Sequence, residues 1–173
     1  MKSHRSLWPF AGFALSALAG TLLHFLYEWT GFLPFALVSG VNESTWEHMK
    51  LLYVPLFVFA LVQSRYFRDV LAFWCVKLRG TLTGLVLIPV LFYTYNGAVG
   101  KSPDWVNIAI FFVSAAAAYT VEWRQFQRKH RHCRPRLAFA TLCAIGALFV
   151  AFTFWPPHIG LFRDPVNGRY GLM

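Results

Sequence analysis

The chain reads as all-α: an integral membrane bundle of about five transmembrane helices, with the N-terminus inside and the C-terminus outside. Three observations predict this. The composition is 57% hydrophobic, 18% aromatic and only 13% charged, with a positive mean hydropathy, far from the norm for soluble domains. Several apolar stretches approach the roughly 20 residues a helix needs to cross a bilayer, and most of their length shows no polar face. The basic residues, which give a net charge of +9, gather in short loops on one side, as cytoplasmic loops do. A lipid bilayer is therefore the expected partner, and no nucleic acid is expected. Residues 1–173 read as one multi-pass domain.

Helix one is expected over 7–28, after a short basic start. A cleaved signal peptide is the competing reading, because Ala17-Leu18-Ala19 resembles a cleavage site, but the apolar run continues well past it. Gly12, Ser16, Gly20, His24 and Glu28 recur at i,i+4 on this helix. Small residues on that ridge let a neighbouring helix approach closely and steer His24 and Glu28 into the bundle. Residues 31–40 are apolar but too short to span, with Pro34 between flanking glycines, so they predict an interfacial or re-entrant turn.

Helix two is expected over 44–63. Ser44-Thr45-Trp46-Glu47 fits the capping box, in which the serine and glutamate side chains satisfy each other's unpaired amides. Pro55 is expected to kink the helix and free the Leu51 carbonyl. Residues 64–79 carry Arg65, Arg68, Lys77 and Arg79 and predict a cytoplasmic turn with an interfacial helix. Helix three then covers 80–95, or starts near Val70 if Lys77 and Arg79 snorkel. Its Gly80-Thr81-Leu82-Thr83-Gly84 is a small-xxx-small match. Helix four is expected over 105–123 and helix five over 137–155, joined by the most basic stretch of the chain, 124–136. The tail, 156–173, is turn-rich, and Asn167-Gly168 is suited to a small hairpin.

This arrangement puts 12 of the 16 Lys and Arg residues on the cytoplasmic side, among them Lys2, Arg5, Lys129 and Arg131. All seven tryptophans then fall at a membrane boundary, where an indole is favoured. Cys75, Cys133 and Cys143 have no framework spacing, and the first two face the cytoplasm, so no structural disulfide is expected.

The same topology gathers Glu28, Glu43, Glu47, His24, His48 and His158 at the outer level. Imidazoles and carboxylates are ligands for a divalent metal such as zinc, and a catalytic site needs three of them plus an open position. His24, Glu28, Glu43, Glu47, His48 and His158 are the metal candidates. Without a metal, Glu47, His48 or Glu28 would act as general acid or base on a lipid-like substrate. Two further readings stay open: a small-solute or proton-coupled carrier, and a scaffold closed by pairs such as Glu47 with Lys50.

Asn42-Glu43-Ser44-Thr45-Trp46-Glu47-His48-Met49-Lys50, with Phe92-Tyr93-Thr94-Tyr95-Asn96-Gly97 and the tail from Pro156 to Gly171, resembles a domain-of-unknown-function family of small bacterial multi-pass membrane proteins. Gly160 stands where those relatives often carry proline. The resemblance implies a bacterial cell membrane and marks the 42–50 motif for testing first; it implies no activity.

Overall fold

The computed structural model describes residues 7–128 and 133–172. Lys2, Arg5, Lys129 and Arg131, counted above among the basic loop residues, lie outside them. Five helices dominate: α1 (Trp8–Thr30), α2 (Thr45–Ser64), α3 (Phe73–Val99), α4 (Asp104–Phe126) and α5 (Pro135–Phe154). Each is long and apolar enough to cross a membrane. Proline begins α1 and α5, where its missing N–H costs nothing. Gly31, at φ +59°, ends α1 by donating its N–H to the Tyr27 carbonyl.

The motif of residues 42–50 heads the central helix. α2 is the most buried of the five, and it packs against α1, α3, α4 and α5. Leu52, Leu56 and Phe59 join Ile88 of α3 and Ile110, Ala115, Ala118 and Tyr119 of α4 in one core cluster. Tyr53 joins Leu85, Leu142 and Phe149 in a second, and its hydroxyl donates to the Leu142 carbonyl at 2.6 Å. Outward, Phe10, Leu18, Val86, Val113 and Leu148 are exposed, as lipid-facing side chains are.

The small-residue ridges seat the helices against one another. A Cβ on Gly12 would overlap the Tyr119 ring, and one on Gly20 would overlap Phe111 and stand 3.1 Å from the Leu51 carbonyl. That carbonyl is the one Pro55 deprives of its helical donor. Between them, Ser16 Oγ and the Tyr119 hydroxyl are 2.7 Å apart. Gly80 and Gly84 face the Ala118 and Ser114 carbonyls of α4, so the small-xxx-small match is a packing face.

Three expectations need correction. First, the alternative start near Val70 holds over the 80–95 span: α3 begins at Phe73 and runs to Val99, so no interfacial helix precedes it. Lys77 is buried, 2.5 Å from Glu122 of α4, with the Phe59, Phe73 and Tyr119 rings around its ammonium. A basic residue that looked like a loop anchor is paired inside the bundle, with a partner 45 positions away. Second, Cys75 and Cys133 form a disulfide with their Cα atoms 6.1 Å apart. The starts of α3 and α5 converge at the basic end, a proximity that spacing along the chain does not reveal. Trp46, in the first turn of α2, is half-buried among Phe149, Phe152 and Phe162. Third, the capping box is half formed: Ser44 Oγ accepts from Glu47 N–H, but Asn42 Oδ1 takes the Ser44 N–H at 2.9 Å. The Glu47 carboxylate is thereby released for other partners.

At the opposite end from the disulfide, the connections fold back. A 3-10 turn, Leu33–Leu37, is followed by Ser39, whose hydroxyl donates to the Leu23 carbonyl and accepts from Tyr27 N–H. The tail forms a second 3-10 turn, Gly160–Phe162, then an antiparallel bridge between Arg163 and Tyr170 closed through Gly168 at φ +76°. The expected turn at Asn167-Gly168 is therefore present.

Candidate metal centre

Residues 42–50 split into two polar groups because of where α2 starts. Ser44 is its N-cap, so Glu43 lies outside the helix and Glu47 inside. Their i,i+4 spacing would align them only in a continuous helix, and the cap separates them.

The inner group is a clamp. Lys50 is fully buried and directs its ammonium to Glu47 at 2.6 Å, the Ala36 carbonyl at 2.9 Å and Thr153 Oγ1 at 2.8 Å. Those contacts use all three ammonium protons. Glu47 also accepts from Val41 N–H at 3.2 Å, and its other oxygen lies 3.2 Å from Thr153 Oγ1. The clamp ties the 33–37 turn, α2 and α5 together with every charge paired.

The outer group brings together three potential ligands from two elements and a loop. Glu43 lies between two imidazoles, with Oε1 3.6 Å from His24 Nε2 and Oε2 3.6 Å from His48 Nε2. Single ligand atoms from all three lie within 4.8 Å of one another. Around a tetrahedral zinc, bonds of about 2.0–2.2 Å hold ligand atoms roughly 3.3–3.6 Å apart. The two distances to Glu43, each to a different carboxylate oxygen, are near that spacing and too long for hydrogen bonds, while the 4.8 Å bound on the full set means the three side chains would draw together around an ion.

The donor chemistry also fits. His48 Nδ1 lies 2.9 Å from the Ser44 carbonyl. A carbonyl only accepts, so Nδ1 carries a proton, which leaves Nε2 as the ring atom available to a metal beside Glu43. A backbone carbonyl fixing the far ring nitrogen is the usual way a ligating histidine is oriented. The Glu43 loop is held in turn by the tail: Glu43 N–H points at Asp164 Oδ2 at 3.5 Å, and Asn42 Nδ2 donates to the Gly171 carbonyl at 3.1 Å. Asp164 is buried and also accepts from Val166 N–H and Asn167 Nδ2.

Of the six residues expected as metal ligands, His24, Glu43 and His48 come together. Glu47 is turned into the clamp. Glu28 is exposed one turn beyond His24, outside the group, because the i,i+4 ridge has rotated out of the interface by then. His158 is exposed and lies against the Tyr170 ring, 4.6 Å between centroids.

The three candidate ligands line a cavity of about 650 Å³ between α1, α2, α3 and α4. Its wall includes Gly20, Phe25, Leu51 and Ile88, and its rim includes Asn96, Lys101, Ser102, Asp104 and Asn107. Lys101, Asn107 and Thr153 carried no signal in the sequence beyond lying in polar turns or near a helix end. All three stretches that carry the family resemblance reach this cavity: Glu43, Thr45 and His48 from the first, Phe92 and Asn96 from the second, Pro165 and Val166 from the tail.

The chain has no match among curated proteins or among solved structures. The family model described as "Family of unknown function (DUF6512)" matches residues 1–172, and the chain belongs to that family.

Proposed function

We propose that this protein is a metal-dependent enzyme of the bacterial cytoplasmic membrane that holds a divalent cation such as zinc on His24, Glu43 and His48 and acts on a lipid-like substrate. In this reading the N-terminus lies in the cytoplasm, the C-terminus outside, and the site near the outer surface. The observation that carries it is the meeting of two imidazoles and one carboxylate at the wall of a largely apolar cavity. Three protein ligands with an open side are the pattern of catalytic rather than structural zinc. A divalent ion there would polarise a phosphoryl or carbonyl oxygen and acidify a bound water. His24 and His48 supply neutral nitrogens, Glu43 supplies charge, and the Glu47–Lys50 clamp holds the loop and helix that present them.

Elemental analysis of protein purified in detergent without chelator tests this. About one transition-metal ion per chain is expected in the wild type, with the ion lost in His24→Ala, Glu43→Gln and His48→Ala. A folded wild type without metal overturns the reading. The rival, a scaffold without catalysis, draws on the fully paired clamp; it gives no reason for a stoichiometric metal that His48→Ala removes.

A further inference from the structure

The cavity beside the metal ligands carries a second inference, which concerns the substrate and rests on the centre proposed above. α1 and α4 touch from Gly12, which faces the Tyr119 ring, to Gly20, which faces Phe111. Beyond Gly20 the cavity lies between them, walled by Phe25 of α1 and by Ile108 and Phe112 of α4. These side chains are 37%, 58% and 37% exposed respectively, and both helices are apolar and long enough to span a membrane. An opening between two such spans gives onto acyl chains rather than water, so a molecule already dissolved in the bilayer has the direct route in. The volume falls in the roughly 300–1,000 Å³ range of small-molecule sites.

The rim sets the head group. Ser102 N–H donates to Asn96 Oδ1 at 2.9 Å, and Ser102 Oγ donates to Asn107 Oδ1 at 2.8 Å. Asn107 is thereby fixed through its oxygen, and its amide N–H₂ has no partner among the described residues. Lys101 makes no salt bridge among them either. The carboxylates on the lining are Glu43, which binds the metal in the proposed centre, and Asp104 at the start of α4. With a divalent ion in place the lining is net positive, and its free donors suit an acceptor-rich anion.

We propose that this pocket takes a single-chain amphiphile with a phosphate head. The head lies between the metal centre, Lys101 and Asn107, and the chain lies along Phe25, Phe111 and Phe112 after entering sideways between α1 and α4.

Photo-crosslinking in lipid nanodiscs tests this, using lysophosphatidic acid with a diazirine near the end of its chain. The same chain on glycerol alone is the control for the head group. Labelling should map to α1 and α4 and be displaced by unlabelled lysophosphatidic acid. It should fall about tenfold with the glycerol probe or in Lys101→Ala, as expected for losing a charge-assisted hydrogen bond. Ile108→Trp, which fills the opening from an exposed position, should abolish labelling and leave the bound metal unchanged. Labelling that ignores the head group, or that persists in Ile108→Trp, overturns the proposal. Metal analysis of the same samples separates the two readings. Metal present with labelling that ignores the head group sinks the lipid pocket alone. Head-selective labelling without metal sinks the metal centre and with it the net positive lining, and leaves the head group supported by Lys101 and the Asn107 amide alone.

Discussion

Glu43 and Glu47 are the same residue type four positions apart, yet they have opposite environments. Glu43 is exposed beside two imidazoles; Glu47 is buried against an ammonium. A buried charge that loses its partner is destabilising by about 3–5 kcal/mol, while replacing both partners with apolar groups costs far less. Glu47→Gln is therefore expected to lower the unfolding midpoint in detergent steeply, with Glu47→Leu combined with Lys50→Met recovering most of the loss. Glu43→Gln should remove metal and leave the midpoint unchanged when both proteins are compared metal-free, since only the stabilisation from the bound ion is lost. A Glu47→Gln protein as stable as the wild type would contradict the clamp. The sequence already held the constituents of both groups, since the polar 42–50 motif and the His24 ridge stand out in an apolar chain. It did not hold their division, which depends on Asn42 taking the Ser44 N–H and freeing the Glu47 carboxylate. Nor did it hold Thr153 or Asp164, whose parts arise only when α5 and the tail fold back over the head of α2.

At the scale of helices, the bundle depends on positions where a side chain is missing. Gly80 and Gly84 let α3 approach the α4 backbone so closely that a Cβ on Gly84 would stand 3.1 Å from the Ser114 carbonyl. The same approach buries Lys77 beside Glu122. Overpacking such a contact costs about 1–3 kcal/mol, so Gly84→Leu is expected to lower the unfolding midpoint. Gly97→Leu, on the same helix but with nothing within 4 Å of its Cβ position, should not. Equal midpoints for the two variants would argue against a close α3–α4 seam. The seam was legible as a glycine spacing, and the Ala115–Ala118 run on the facing helix matched it in volume. The start of α3 was legible only as one of two alternatives, residue 80 or near Val70. Lys77 and Arg79 look like loop residues until a partner is known, and Glu122 is identified as that partner only by the packing of α3 on α4.

For the whole molecule, two signals at the basic end pull in opposite directions. Arg65, Arg68, Arg124 and Arg128 lie there, and by the positive-inside rule such a cluster predicts a cytoplasmic face. The Cys75–Cys133 disulfide lies there as well, and cytoplasmic thiols are normally kept reduced. The charge pattern draws on many residues, whereas the disulfide is a single pair of thiols. The basic end is therefore expected to face the cytoplasm, with the bond open in living cells. Cysteines placed at Gly97 and Gln127 report on the two ends, both positions being open to solvent or lipid headgroups; Ser102 is unsuitable, being buried and bonded to Asn107. In whole cells an impermeant thiol reagent should label Gly97→Cys and spare Gln127→Cys, and alkylation after rapid acid quenching should find Cys75 and Cys133 both free. Labelling at Gln127 together with an intact disulfide in quenched cells would invert the molecule. The His24–Glu43–His48 group would then face the cytoplasm, and its lipid would have to come from the inner leaflet.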